Sequence, residues 1–201
     1  MIIGGIEIIE RDTPPRLVTL TETGRLFLNP LVTNDWRIRP AIKDRLMAAS
    51  GALPDGLCLM LYEAFRSRAR QHELWQPVFA QISADHPDWT PKQHYTETSR
   101  WVSPPDGFGS GHQAGAAIDI TLATNNRKPL DMGTGMQAFT PLTPTASDVP
   151  DTARQNRDVL VNTLQAQGLI NYPDEWWHFS YGDRLWAEVT GQTQAFFAPI
   201  D

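Results

Sequence analysis

Two short segments of the chain hold the residue types best suited to chemistry. The first, Ser110-Gly111-His112-Gln113-Ala114-Gly115-Ala116-Ala117-Ile118-Asp119, offers an imidazole and a carboxylate. The second, Asp174-Glu175-Trp176-Trp177-His178-Phe179, offers another imidazole with a carboxylate three residues upstream. Imidazole nitrogen and carboxylate oxygen both suit a zinc ion. A spacing of seven residues on an unbroken strand sends His112 and Asp119 to opposite faces, so the glycines of the segment, Gly111 and Gly115, must supply a turn before the strand that carries Asp119. Taken together, His112, Asp119 and His178 supply three ligands and leave one tetrahedral position for water, the pattern of a catalytic site. Such an ion acidifies water and polarises a substrate carbonyl. Glu175 would accept the proton and pass it to a leaving amine, and Arg66, at the exit of a strand, would steady the oxyanion.

Each segment alone also has a plainer reading. His112 could be a solvated imidazole beside a strand carboxylate, residues 174–179 an aromatic core strand, and Arg66 a surface ion-pair partner. Two adjacent tryptophans are costly to leave wet; packed around a pocket, they would exclude water and fix the His178 ring. The other histidines, His72, His86 and His94, lie in helical or Pro-flanked contexts without a matching partner and default to the surface. His72-Glu73 is not followed by a second His four residues on, so the helical zinc-protease motif is absent. Cys58, inside Leu57-Cys58-Leu59-Met60-Leu61, reads as a small buried thiol.

The elements that must position these residues follow from periodicity. Residues 40–49 carry Ile42, Leu46 and Met47 at helical spacing after Pro40, and Pro54-Asp55-Gly56 then turns the chain. An apolar strand over 57–66 ends in Glu63-Ala64-Phe65-Arg66. A helix over 69–82 buries Leu74, Trp75, Val78 and Phe79, with Pro77 marking a kink or restart. A strand over 117–123 alternates Ile118, Ile120 and Leu122 with Asp119, Thr121 and Ala123, one face apolar and the other polar. Residues 152–167 form a helix with Val159, Leu160 and Leu164 inward and Gly168 as its stop, and 176–181 a third strand. Between them, 124–152 is rich in Asn, Gly, Thr and Pro and forms a long loop, either a lid or a plain surface excursion. Helices mixed with separated strands, without a regular strand-helix repeat, indicate an α+β fold.

With 201 residues, 41% of them hydrophobic, the chain is long enough for one domain, 1–201, with its own core, and disorder is excluded. One cysteine cannot build a disulfide framework. A net charge of -6 and a pI near 5.3, without any basic block, exclude nucleic acid and anionic membrane as partners. No apolar run approaches the ~20 residues of a membrane span. The first ten residues, Met1 to Glu10, have no basic leader and read as a first strand, which places the protein in the cytoplasm. A homo-oligomer is compatible with the sequence.

The pattern Ser110-x-His112-x-x-Gly115-x-Ala117-x-Asp119, with Glu175-x-Trp177-His178 downstream and Arg66 upstream, resembles the zinc D-alanyl-D-alanine dipeptidases of the VanX type. The likeness covers most of the chain. It extends through Glu63-Ala64-Phe65-Arg66, Met132-Gly133-Thr134, Asn156-Arg157 and Asn171-Tyr172-Pro173 to Tyr181-Gly182-Asp183. It implies a small antiparallel sheet flanked by helices, as in the D,D-peptidases and Hedgehog-like domains. It also implies zinc on His112, Asp119 and His178, Glu175 as the catalytic base, Arg66 as the transition-state cation, and D-Ala-D-Ala or a related small dipeptide as substrate. Ser110 and Glu63 fall where the family contacts its dipeptide. Gln137 stands where the family has an acid that holds the substrate ammonium, and Gly111 and Gln113 flank His112 where a hydroxyl or proline is expected. The alternatives are a D,D-carboxypeptidase or peptidoglycan endopeptidase of the same fold, or a non-catalytic zinc module; the last needs neither Glu175 nor Arg66.

Overall fold

In a computed structural model, which describes residues 2–3, 5–32 and 34–200, the chain opens with strands β1 (Ile2–Ile3) and β2 (Ile6–Ile8). There follow β3 (Val18–Thr19), β4 (Leu26–Leu28), β5 (Arg37–Ile38), helix α1 (Pro40–Ala52) and β6 (Leu57–Glu63). Helices α2 (Arg68–Asp85) and α3 (Pro91–Trp101) precede β7 (Ala117–Thr124), α4 (Asp151–Gln165), β8 (Ile170–Asn171), β9 (His178–Ser180), α5 (Arg184–Val189) and β10 (Gln194–Ala195). The main sheet has the order β4-β6-β7-β9-β8, with smaller sheets β1-β2-β10 and β3-β5 beside it. This is the α+β arrangement that the mixed pattern implies. Pairing in the main sheet is antiparallel except at one edge, where β4 runs parallel to β6.

Period-two alternation divides the sheet into two faces. Leu59 and Leu61 of β6, Ile118, Ile120 and Leu122 of β7, and Phe179 of β9 join Ile42 and Leu46 of α1 and Leu160 and Leu164 of α4 in the principal core. Cys58, Met60 and Ala123 pack on the other face around Phe27, so the thiol is buried as its apolar context suggests. Asp119 belongs to that second face. Register then does the positioning: Glu63 pairs with Asp119 across β6 and β7, and Asp119 with His178 across β7 and β9. Three chemically active side chains therefore stand side by side at one end of the sheet.

Several details depart from the sequence expectations. The N-terminal stretch forms two short paired strands, β1 and β2, instead of one; Met1 and Gly4 lie outside the described residues. Strand β7 is buried on both faces, including Thr121 and Asp119, as expected of a strand in the centre of a sheet covered on both sides. Helix α2 runs without interruption through Pro77, which is exposed, so the carbonyl that loses its N–H partner lies on the solvent side, where it can be hydrated. Of its expected apolar stripe only Trp75 is buried, with Leu74, Val78 and Phe79 half-buried, since α2 packs against a second helix, α3. That helix starts from a capping box of Thr90 and Gln93. Met47 of α1 is exposed, the strand expected over 176–181 is confined to His178–Ser180, and a further short strand, β10, follows it.

Two buried arginines organise what the sheets leave loose. Arg39, fully buried, donates from Nε to the Ala114 carbonyl (2.8 Å) and forks onto Glu10 (2.8 and 2.7 Å), so it ties the turn before β7 to the N-terminal strands. Arg157 of α4 serves the long loop. Beyond one bridge from Pro129 to Ala123, residues 125–150 carry no helix or strand. Arg157 instead donates to the carbonyls of Met132, Pro144 and Leu142 (each 2.8 Å) and Thr145 (3.3 Å). Its guanidinium thus replaces a ladder with one charged hub. Arg157→Met keeps the apolar stem and removes every donor. It is expected to lower the stability measured by urea unfolding by about 2–4 kcal/mol and to speed amide exchange across residues 131–147.

Candidate functional site

The turn that delivers His112 is built from backbone hydrogen bonds within 110–117. Ala114 donates to the Ser110 carbonyl, Gly115 to His112, and Ala116 and Ala117 to Gly111. Gly115, at φ +64°, then releases the chain into β7. The Arg66 amide donates to the His112 carbonyl (3.2 Å), which fastens the turn to the exit of β6. His112 Nδ1 lies 2.8 Å from the Ala64 carbonyl, so that nitrogen carries the proton and Nε2 is free to act as a ligand.

Asp119 Oδ1 then lies 3.3 Å from His112 Nε2 and 3.1 Å from His178 Nδ1. One donor atom from each of the three residues falls within 4.8 Å of the others. Bonds of about 2.0–2.1 Å at the tetrahedral angle put neighbouring ligand atoms about 3.3 Å apart, so this donor set fits an ion such as zinc. Burial by itself would push the Asp119 carboxyl up, but the two imidazoles around it outweigh that and hold it far below the usual carboxylate range. Glu175 Oε2 stands 4.0 Å from His178 Nδ1, at the margin of the donor set. Burial, helped by Asp119, raises its pKa against the pull of His178, His112 and Arg66.

Arg66 is held as a rigid fork. Its Nε and Nη2 donate to the two oxygens of Glu63, each at 2.7 Å, and Nη1 donates to Gln71 Oε1 at 3.0 Å. Despite burial, Arg66 pulls the Glu63 carboxyl below its ordinary value. Ser110 joins the same network, donating from Oγ to Gln71 Oε1 (3.2 Å). Gln137, on the long loop, reaches in to Asp119 and Glu63. The structure therefore gathers His112, Asp119, His178, Glu175, Arg66, Glu63, Ser110 and Gln137 into one place, while His72 lies on α2, His86 just past its end and His94 on α3. Trp176 and Trp177 are both buried in the principal core, with Trp176 Nε1 donating to Thr134 Oγ1 (2.8 Å). Phe139 lies edge-on to Trp177, 5.8 Å between centroids.

Gln71 is the functional neighbour that sequence reasoning missed. It is fully buried, accepts from Arg66 and Ser110, and anchors itself by donating to the Ser103 carbonyl (2.8 Å). Its signal was a polar residue on the face of α2 that also carries Trp75, one turn along.

Residues 39–197 match the family model described as D-ala-D-ala dipeptidase. A D-alanyl-D-alanine dipeptidase of Synechocystis sp. is 30% identical over 151 residues, covering 64% of this chain and 61% of that protein. One from Escherichia coli is 30% identical over 148 residues, covering 70% of this chain and 64% of that protein. The chain thus spans about three fifths of the length of these curated relatives. Among solved structures, a vancomycin-resistance D,D-pentapeptidase VanY variant in complex with Zn(II) superposes with a TM-score of 0.45 at 20% identity, covering 90% of this chain and 86% of that one. VanYB in complex with D-alanine-D-alanine gives 0.46 at 20% identity, covering 88% and 84%.

The turn that presents His112 leaves no room at Gly111. A Cβ there would run into the Asp183 carboxylate and come within 2.8 Å of Ala117 Cβ. Gly111→Ala is expected to cost about 1–3 kcal/mol in urea unfolding through this overpacking. The same variant should bind zinc more weakly than the wild type in a chelator competition, because His112 moves with the turn.

Proposed function

Since this chain belongs to the D-ala-D-ala dipeptidase family, we propose that it hydrolyses the peptide bond of D-Ala-D-Ala or a closely related small dipeptide, with zinc held by His112, Asp119 and His178. The observation that carries the reading is that Asp119 Oδ1 lies about a tetrahedron's edge from each imidazole nitrogen, at 3.3 and 3.1 Å, with a buried carboxylate and a fixed guanidinium beside the set. When bound there, zinc supplies a Lewis acid that eases deprotonation of water and polarises a carbonyl oxygen.

The protein's own groups do the rest. Glu175 accepts the proton of the attacking water, and its burial-raised pKa brings its proton affinity closer to working pH than that of an exposed glutamate. The same carboxyl then protonates the amine that leaves. Arg66 keeps its charge at any working pH and offers it to the developing oxyanion. Glu63 and Gln71 fix the plane of the guanidinium, so little reorganisation accompanies the reaction. Ser110 and Glu63 border the position of the dipeptide. In this reading residues 1–201 act as one dipeptidase domain, and the 124–152 loop contributes to the rim of its site.

Zinc-loaded protein is expected to release alanine from D-Ala-D-Ala and not from L-Ala-L-Ala; release from neither would overturn the assignment. Dialysis against a chelator should abolish turnover and added zinc restore it. Glu175→Ala should retain one zinc per chain by metal analysis while kcat falls roughly 100- to 10,000-fold, the usual worth of a general base.

A further inference from the structure

Gln137 occupies a backbone conformation that a side chain makes costly. Its φ of +56° lies in the left-handed region, where glycine escapes the clash between Cβ and the carbonyl. The residue is also exposed, so apolar burial does not account for a side chain at this position. What that side chain does is reach back into the site. Its Nε2 donates to Asp119 Oδ2 at 2.8 Å and to Glu63 Oε2 at 3.0 Å.

A primary amide carries two N–H groups, and here one is directed to each of two carboxylates that face each other across β6 and β7. Like charges placed opposite each other on neighbouring strands repel. A neutral group that donates to both relieves the repulsion without adding charge. A hydroxyl has only one proton to give, and an ionised acid has none. The division of labour at Asp119 is equally clear: Oδ1 faces both imidazoles, and Oδ2 is taken by Gln137. The carboxylate is thereby kept from rotating to offer its second oxygen to the ion.

We propose that Gln137 is a positioning residue, which fixes Asp119 as a one-oxygen metal ligand and steadies Glu63 in its fork with Arg66. The strained backbone at 137 accompanies that task, in keeping with the tendency of such strain to gather at functional sites. The inference rests on the metal reading of the site under Proposed function. Partners that orient a metal ligand typically change metal affinity by about 10- to 100-fold when removed.

The test uses two variants of the full chain. Gln137→Gly removes the side chain and relaxes the backbone, and Gln137→Met keeps its length but cannot donate. Zinc affinity is measured by chelator competition at a temperature where each variant is folded, and the thermal midpoint of the metal-free protein is measured in parallel. Gln137→Gly is expected to keep or raise the midpoint while its zinc affinity falls about 10- to 100-fold, and Gln137→Met to show a fall of the same size. Should Gln137→Met not fold, the glycine variant decides alone. Zinc affinity within about twofold of wild type in the folded variants, with or without a lowered midpoint, would make Gln137 a loop fastening only and overturn the proposal. Failure of the unmutated protein to bind zinc would overturn the metal reading itself, so the two failures are told apart.

Discussion

A carboxylate buried in the central strand of a sheet cannot remain ionised without partners, and most of the site can be understood from how Asp119 finds them. It is 3% exposed and sits between Ile118 and Ile120, whose side chains enter the principal core. An isolated charge so placed would be neutralised by its surroundings. Two imidazoles meet one of its oxygens, and an amide meets the other. Each partner comes from a different part of the chain: the turn before β7, strand β9 and the long loop. The need to satisfy one carboxylate therefore draws together elements that sequence order keeps far apart.

The second constraint is the stiffness of what surrounds that carboxylate. His112 is oriented by the Ala64 carbonyl, and Arg66 by Glu63 and Gln71. Glu10 and Ala198 are pinned through Arg39 and the loop through Arg157. In each case a charged or polar side chain satisfies backbone carbonyls or a carboxylate that would otherwise be buried alone. A donor set with tetrahedral spacing needs its atoms placed to a few tenths of an ångström, and packed arginine forks supply that rigidity where short strands and a structureless loop do not.

Much of the fold was legible in the sequence because its patterns are local. Helices α1 and α4 and strands β6 and β7 follow from the spacing of Ile42 and Leu46, Leu160 and Leu164, and Ile118, Ile120 and Leu122. The turn between His112 and Asp119 follows from Gly115. Less legible were features in which tertiary context overrode a local rule. Pro77 reads as a break, yet it lies on the solvent face of α2, where a lost hydrogen bond is tolerated. Asp119 and Thr121 read as a wet face, yet both are buried, and Gln137 of the long loop reaches Asp119 there. Helix α3 holds few apolar residues, and it is secured by its capping box and by the aromatic contact of Tyr95 with Trp75.

The sequence by itself determined which atoms are available for chemistry: two imidazoles, a strand carboxylate, a glutamate near the second imidazole, and an arginine at a strand exit. Residue type sets ligand preference and charge, and both are properties of the side chain alone. Only the tertiary structure decided how these groups face one another. Strand register put Glu63, Asp119 and His178 in line, and the folded loop set Gln137 between two acids. Distances across a sheet depend on hydrogen-bond register between segments separated by dozens of residues; periodicity within a segment fixes the face each side chain takes, but not which residue of a distant strand it meets.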